Sequence, residues 1–228
     1  MGSLSDMTDI SIPYAQCITS RILNTMCNKL RLHSTSSGTI PRWTPGSTLT
    51  CGIEHQSFLR AHYSIDDIEH VKGCLKEVIS LLNSFNLGLR FVYVEDLLPE
   101  TFTLAYANDP DSYATSFFPD AAPGRRKIVL HESSFLPLYR ASIFNILCHE
   151  FGHTLGMRHW DAGWTEPNYP SICFPPDSNN KLSVMGIYKH PETLRFHPED
   201  IEWLREFYSR KNGSMIQGCT IKDYPSRP

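Results

Sequence analysis

The chemistry in this chain is concentrated in eleven consecutive residues, His149-Glu150-Phe151-Gly152-His153-Thr154-Leu155-Gly156-Met157-Arg158-His159. Histidines four residues apart lie on one face of a helix with ring nitrogens close enough to share a metal ion. The glutamate beside the first can reach a water on that ion. His159 comes six residues after His153 and cannot join the same face if the helix continues. Gly156 resolves this, because glycine takes the left-handed conformation that stops a helix and turns the chain back. His149, His153 and His159 are therefore candidate metal ligands, and Glu150 is a candidate general base. Three neutral nitrogens plus a water make the open tetrahedral arrangement of catalytic zinc. With 10 histidines in 228 residues, a chance H-E-x-x-H arises in about 2% of such chains, and adding Gly156 and His159 lowers that to roughly one in 20,000. Leu147 and Cys148 precede the motif, so its helix is expected to be buried, where three unpartnered histidines would be costly. Polar residues on an exposed turn are the weaker reading.

The elements that must hold this motif can be read from spacing. Thr48 to Ile53 reads as a strand, and Ser64 opens a helix with capping-box spacing to Asp67. Apolar residues recur at Ile65, Ile68, Val71, Leu75, Val78, Leu82 and Phe85, a long helix with one buried face. Three further strands are expected at Leu89 to Val94, Phe102 to Ala107 and Lys127 to His131, rich in β-branched and aromatic residues. Pro110, Pro119, Pro123 and Gly124 make the segment between the last two a loop. A second helix is expected from Tyr139 to Leu155. A third starts at Pro198, with Glu199 and Asp200 where the helix dipole favours them, and buries Ile201, Leu204, Phe207 and Tyr208. Strand, helix, then strands implies an α+β fold with a mixed sheet covered by helices.

The eleven residues resemble the long zinc-binding motif of the metzincin metallopeptidases. Leu182-Ser183-Val184-Met185-Gly186 resembles the Met-turn of that family, in which the methionine, here Met185, packs beneath the zinc histidines. Phe196 to Ile201 with Leu204 to Tyr208, the opening Arg42-Trp43, Leu49 to Ile53, and Leu104 to Ala107 are similar to the matrixin branch, the catalytic-domain type of matrix metalloproteinases. The resemblance spans about residues 42 to 210, and only the zinc motif within it is strongly specific. It implies a metzincin (zincin-like) fold: a mixed twisted sheet, a long backing helix, an active-site helix, and a C-terminal helix after the Met-turn. It also implies a zinc-dependent endopeptidase with one catalytic Zn2+ and a peptide or protein substrate, in which Glu150 acts as general base on a metal-activated water. Leu104, Ala105, Tyr106 and Ala107 would form the sheet-edge strand that pairs with an extended substrate. Two alternatives are a catalytically silent zinc-containing module that binds peptide, and a zinc hydrolase of a non-protein substrate.

The departures from the family pattern are equally specific. Matrixins hold a second, structural zinc with histidines in the loop before the active helix, and Asn108 to Val129 contains none, so that ion is not expected. Asp109, Asp111 and Asp120 offer oxygens for calcium but read more simply as a solvated acidic loop. Neither Cys17 nor Cys27 sits in the Arg, Gly and Pro-Asp setting that keeps matrixin zymogens latent. The 25 residues between His159 and Met185 include Pro167, Pro170, Pro175 and Pro176 and are expected to wall a specificity pocket. Tyr188, three residues past the methionine, reads as pocket wall, with core and zinc ligand as alternatives. Asp161 could orient His159 or be a plain surface acid.

Length and composition bound the rest. At about 150 residues per domain, 228 residues suggest one domain and an extension. The expected division is an extension at 1–41, a catalytic domain at 42–213 and a tail at 214–228, with Ser, Thr, Pro and Gly clustering ahead of Arg42. A formal charge of -3, with no basic block denser than Arg125-Arg126-Lys127, argues against a nucleic-acid or anionic-lipid partner. No apolar run approaches the length that spans a bilayer, and the first thirty residues lack the apolar stretch of a secretory signal. A monomer is expected, cytoplasmic as encoded, with an extracellular site left open by the family resemblance. Seven cysteines without a CxxC pair read as buried or free thiols, although Cys173 and Cys219 could pair in an oxidising compartment.

Overall fold

The computed structural model describes residues 30–96, 102–174, 183–186 and 190–226. In chain order its strands are β1 (Leu30–His33), β2 (Thr39–Trp43), β3 (Thr48–Ile53), β4 (Arg90–Tyr93), β5 (Phe102–Tyr106), β6 (Ala114–Thr115), β7 (Lys127–Leu130), β8 (Met157–Arg158), β9 (Ser171–Phe174), β10 (Met215–Ile216) and β11 (Cys219–Tyr224). Its helices are α1 (His55–Arg60), α2 (Ile65–Ser84), α3 (Ile143–Thr154), α4 (Ala162–Thr165) and α5 (Pro198–Ser209). The fold is mixed α+β. Among the described residues no helix is long and apolar enough to cross a membrane.

The main sheet has the order β4-β3-β5-β7-β6. Its first four strands run parallel and β6 runs antiparallel against β7. Helix α2 backs this sheet. Ser64 caps it, its hydroxyl accepting from the Asp67 amide at 3.1 Å while the Asp67 carboxylate accepts from the Ser64 amide at 3.1 Å. Its inner stripe is Ile68, Val71, Leu75, Val78 and Leu82, all buried, and each contributes about 1.5–3 kcal/mol of burial. Ile65, expected on that stripe, is 62% exposed at the first position of the helix. Helix α3 begins at Ile143 rather than Tyr139, preceded by a tighter turn at Arg140–Ser142.

Three expectations are corrected by the topology. The boundary placed at residue 42 falls inside β2. Residues 30–41 are part of the folded body: β1 pairs antiparallel with both β8 and β9, burying Leu30 and Leu32. The expected tail at 214–228 is also joined to this body, since β11 pairs in parallel with β2 from Thr220 to Tyr224. The buried Arg42 explains this joining. Its guanidinium pairs with Asp223 at 2.7 Å and donates to the carbonyls of Phe207 and Arg210 at 2.6 and 2.7 Å, closing the C-terminal end of α5. Residues 1–29 of the expected extension, with Cys17 and Cys27, lie outside the described residues.

The third correction concerns the sheet edge. Leu104–Ala107 were expected to form it, but β5 is bonded to β3 on one side and β7 on the other. Leu104 and Ala105 are buried, and the Ala107 amide donates to the Leu130 carbonyl at 3.1 Å. The outermost strand on this side is β6, inside the segment read as loop. Part of the long stretch after His159 forms β9. Pro175, Pro176, Leu182 and Tyr188 lie outside the described residues.

Candidate metal centre

Helix α3 carries His149 and His153 inward, and the turn at Gly156, with φ +95°, reverses the chain into β8. The exposed carbonyls of this helix end are taken up from outside the helix. The Trp43 indole donates to the Thr154 carbonyl at 2.7 Å, the Tyr208 hydroxyl to that of Leu155 at 3.2 Å, and the His33 amide to that of Gly156 at 2.8 Å. A helix terminus left without partners in the core would be costly, so β1, β2 and α5 jointly fix where the turn points. The result brings His159 against the first two histidines, with ring centroids 4.9–5.2 Å apart. All three side chains are buried, and one ligand atom from each lies within 4.8 Å of the others.

The hydrogen bonds on the far side of each ring determine what faces the centre. His149 Nδ1 meets the Val184 carbonyl at 2.7 Å and His153 Nδ1 meets the Met157 carbonyl at 2.9 Å. A carbonyl can only accept, so both Nδ1 atoms carry the proton. His159 Nδ1 meets the Glu166 carboxylate at 2.7 Å, which likewise accepts. Each neutral ring therefore directs the Nε2 lone pair inward. His153 Nε2 is buried with no hydrogen-bond partner, and the Nε2 atoms of His149 and His159 face each other at 3.1 Å. Burial lowers the pKa of all three, that of His149 to about 4, and so keeps them neutral. Three converging lone pairs in a dry site repel one another unless a cation lies among them. The residues present thus fit a metal ion, and this buried group could bind one.

Two carboxylates that hold the centre were not assigned this role from the sequence. Glu166 takes the place expected of Asp161. It accepts from His159 and pairs with the buried Arg158, while the Asp161 carbonyl accepts from Thr165 in the first turn of α4. Glu166→Gln should weaken metal binding by about 10–100-fold, read by chelator competition. Asp161→Asn should change it far less, and equal losses would remove the distinction. Asp200, expected only as a helix-dipole residue, is wholly buried and anchors the turn below the histidines. Its carboxylate accepts from the Ser183 hydroxyl at 2.7 Å and from the amides of Val184 and His197 at 2.9 and 3.0 Å. Burial raises its pKa, and these bonds counter part of that rise. The Asp at N3 of α5 was the available signal, since a capping-box position places a carboxylate at the chain entering the helix.

Ser183–Gly186 form a tight turn closed by the Gly186 amide on the Ser183 carbonyl at 2.9 Å. Met185 is wholly buried there. A Cβ at Gly152 would collide with Met185 Sδ, so the helix passes over the methionine at a distance only glycine permits. Gly152→Ala should destabilise the protein by about 1–3 kcal/mol. Met185→Ala in the same chain should recover part of that in urea unfolding, and strict additivity would count against the contact. Glu150, one residue beyond His149, is buried, and its backbone carbonyl accepts from the Ser116 hydroxyl at 2.9 Å just past β6.

Asp109, Asp111 and Asp120 do not converge. Asp109 is engaged by the Asp111 amide and the Ser112 hydroxyl, and Asp120 faces His33. Cys173 and Cys219 are free thiols. No family model matches this sequence, and no curated protein matches it. The fold is similar to a solved structure of myroilysin, with a TM-score of 0.51, 14% identity, and coverage of 79% of this chain and 99% of that one.

Proposed function

We propose that this chain is a zinc-dependent endopeptidase of the metzincin, matrixin-like type, with His149, His153 and His159 as ligands and Glu150 as general base. The observation that carries this reading is the convergence of three Nε2 atoms whose rings are each fixed by an acceptor at Nδ1. An all-nitrogen neutral set suits zinc, whereas calcium and magnesium take oxygens. Bound there, zinc would supply Lewis acidity, polarising a scissile carbonyl and acidifying a water. Glu150, on the turn that begins with His149, would accept the proton of the attacking water and deliver it to the leaving amine. Met185 and Asp200 set the floor, and Glu166 holds His159 in its tautomer.

A peptide substrate is favoured by the outer edge of β6, with which no further strand pairs among the described residues. An extended chain can add to such an edge through backbone bonds, and Ser116 joins this edge to Glu150. The substrate-pairing strand we assign is thus Ala114–Thr115, replacing Leu104–Ala107. The test is digestion of a proteome-derived peptide library by zinc-loaded protein, with new termini read by mass spectrometry. Internal cleavage is expected. No cleavage with one equivalent of zinc bound would overturn the peptidase reading in favour of a silent peptide-binding module.

A further inference from the structure

We propose that a cavity on the His153 side of the metal centre is a subsite for an aromatic side chain of the substrate; this rests on the peptidase reading above. The cavity has a volume of 640 Å³, within the range of about 300–1,000 Å³ typical of ligand pockets. Three separate parts of the chain build it: the turn that follows β1, the segment between β6 and β7, and Arg158 with Asn168–Pro170.

The cavity and the metal centre share a wall. Phe118 lies edge-on to His153, with ring centroids 5.5 Å apart, and stacks on His33 at 4.0 Å. The edge strand runs toward the same place, since Ser116 and Phe118 follow β6 directly. A peptide extended along β6 would turn every second side chain to one face, and one of these would meet the cavity next to the metal.

The lining chemistry selects the occupant. Arg158 is buried between the rings of Phe118 and Tyr169, 5.5 and 5.1 Å from their centroids, and its charge is matched by Glu166. It therefore fixes the rings and does not require an anion. Asp120 faces His33 Nε2 at 3.6 Å, and Arg125 is exposed to water at the mouth. The rest of the lining is mostly ring surface and the methyl groups of Ala121 and Ala122, with Tyr169 37% exposed, while Ser34, Thr35, Ser36, Ser116 and Asn168 add neutral polar groups. An incoming ring can pair with Tyr169 in offset or edge-on geometry, adding to simple burial.

The test uses the zinc-loaded full chain and two probes, N-acetyl-tryptophan amide and N-acetyl-alanine amide, with dissociation constants from NMR titration. The tryptophan probe should bind at least about tenfold more tightly. Ala122→Trp, which places bulk against the ring surface, and Tyr169→Ala, which removes a ring, should each abolish most of that difference while zinc stoichiometry is retained. Equal binding of the probes, or selectivity unchanged in both variants, would overturn the proposal. Library digestion separates this from the wider reading. Cleavage without probe selectivity leaves the peptidase standing and removes the subsite. Probe selectivity that both variants lose, without any cleavage, keeps the aromatic site and removes the peptidase.

Discussion

Glu150→Ala should leave zinc bound at one equivalent and lower peptide turnover by two to four orders of magnitude, about 3–5 kcal/mol of transition-state stabilisation. The expectation follows from position. Glu150 adjoins His149 on α3 and is buried at the centre, yet it is not among the three residues whose ligand atoms cluster. Its loss therefore removes a proton acceptor while all three imidazoles keep their Nδ1 bonds to Val184, Met157 and Glu166. Metal analysis and far-UV circular dichroism alongside the digestion assay separate lost chemistry from lost structure. A variant that still cuts at the wild-type rate would remove Glu150 from the mechanism.

His153→Ala should behave in the opposite way, losing the metal first. Zinc binding by four-ligand sites is worth about 10–16 kcal/mol, so one ligand carries about 2.5–4 kcal/mol, or roughly two to three orders of magnitude in affinity. Chelator competition reads this directly. The metal-free forms provide the discriminating comparison. His153 Nε2 is buried without a partner, so without metal the ring costs desolvation that alanine does not, and the variant should lose little stability as apoprotein. A histidine that served only as packing would show the reverse: zinc content unchanged and a cavity penalty of a few kcal/mol in the apoprotein.

The contrast between these residues and those that were misplaced shows where sequence reasoning holds. The candidate ligands lie within eleven residues, and helix pitch and one left-handed glycine, both local, bring them near one another, while β1, β2 and α5 fix the direction of the turn. The same is true of the Ser64–Asp67 cap and the inner stripe of α2. Leu104–Ala107 failed as an edge because an apolar run looks alike in a central and an outer strand; only the pairing with β3 and β7 distinguishes them. Two-residue β6, flanked by prolines, has too short a pattern to register at all. Glu166 and Asp161 are equivalent acids near His159 in sequence, and the chain path through α4 chose between them.

The sequence by itself picked out the candidate metal ligands, the candidate base and the helices that carry them, because each depends on contacts between residues a few positions apart. Only the tertiary structure decided how that centre is enclosed. The chain from Leu30 to Pro41 and the last strand through Tyr224 belong to the body because Arg42 reaches Asp223 and β1 reaches β8. Those contacts join residues more than a hundred positions apart. Which of them form is set by the joint burial of surfaces that no local spacing records.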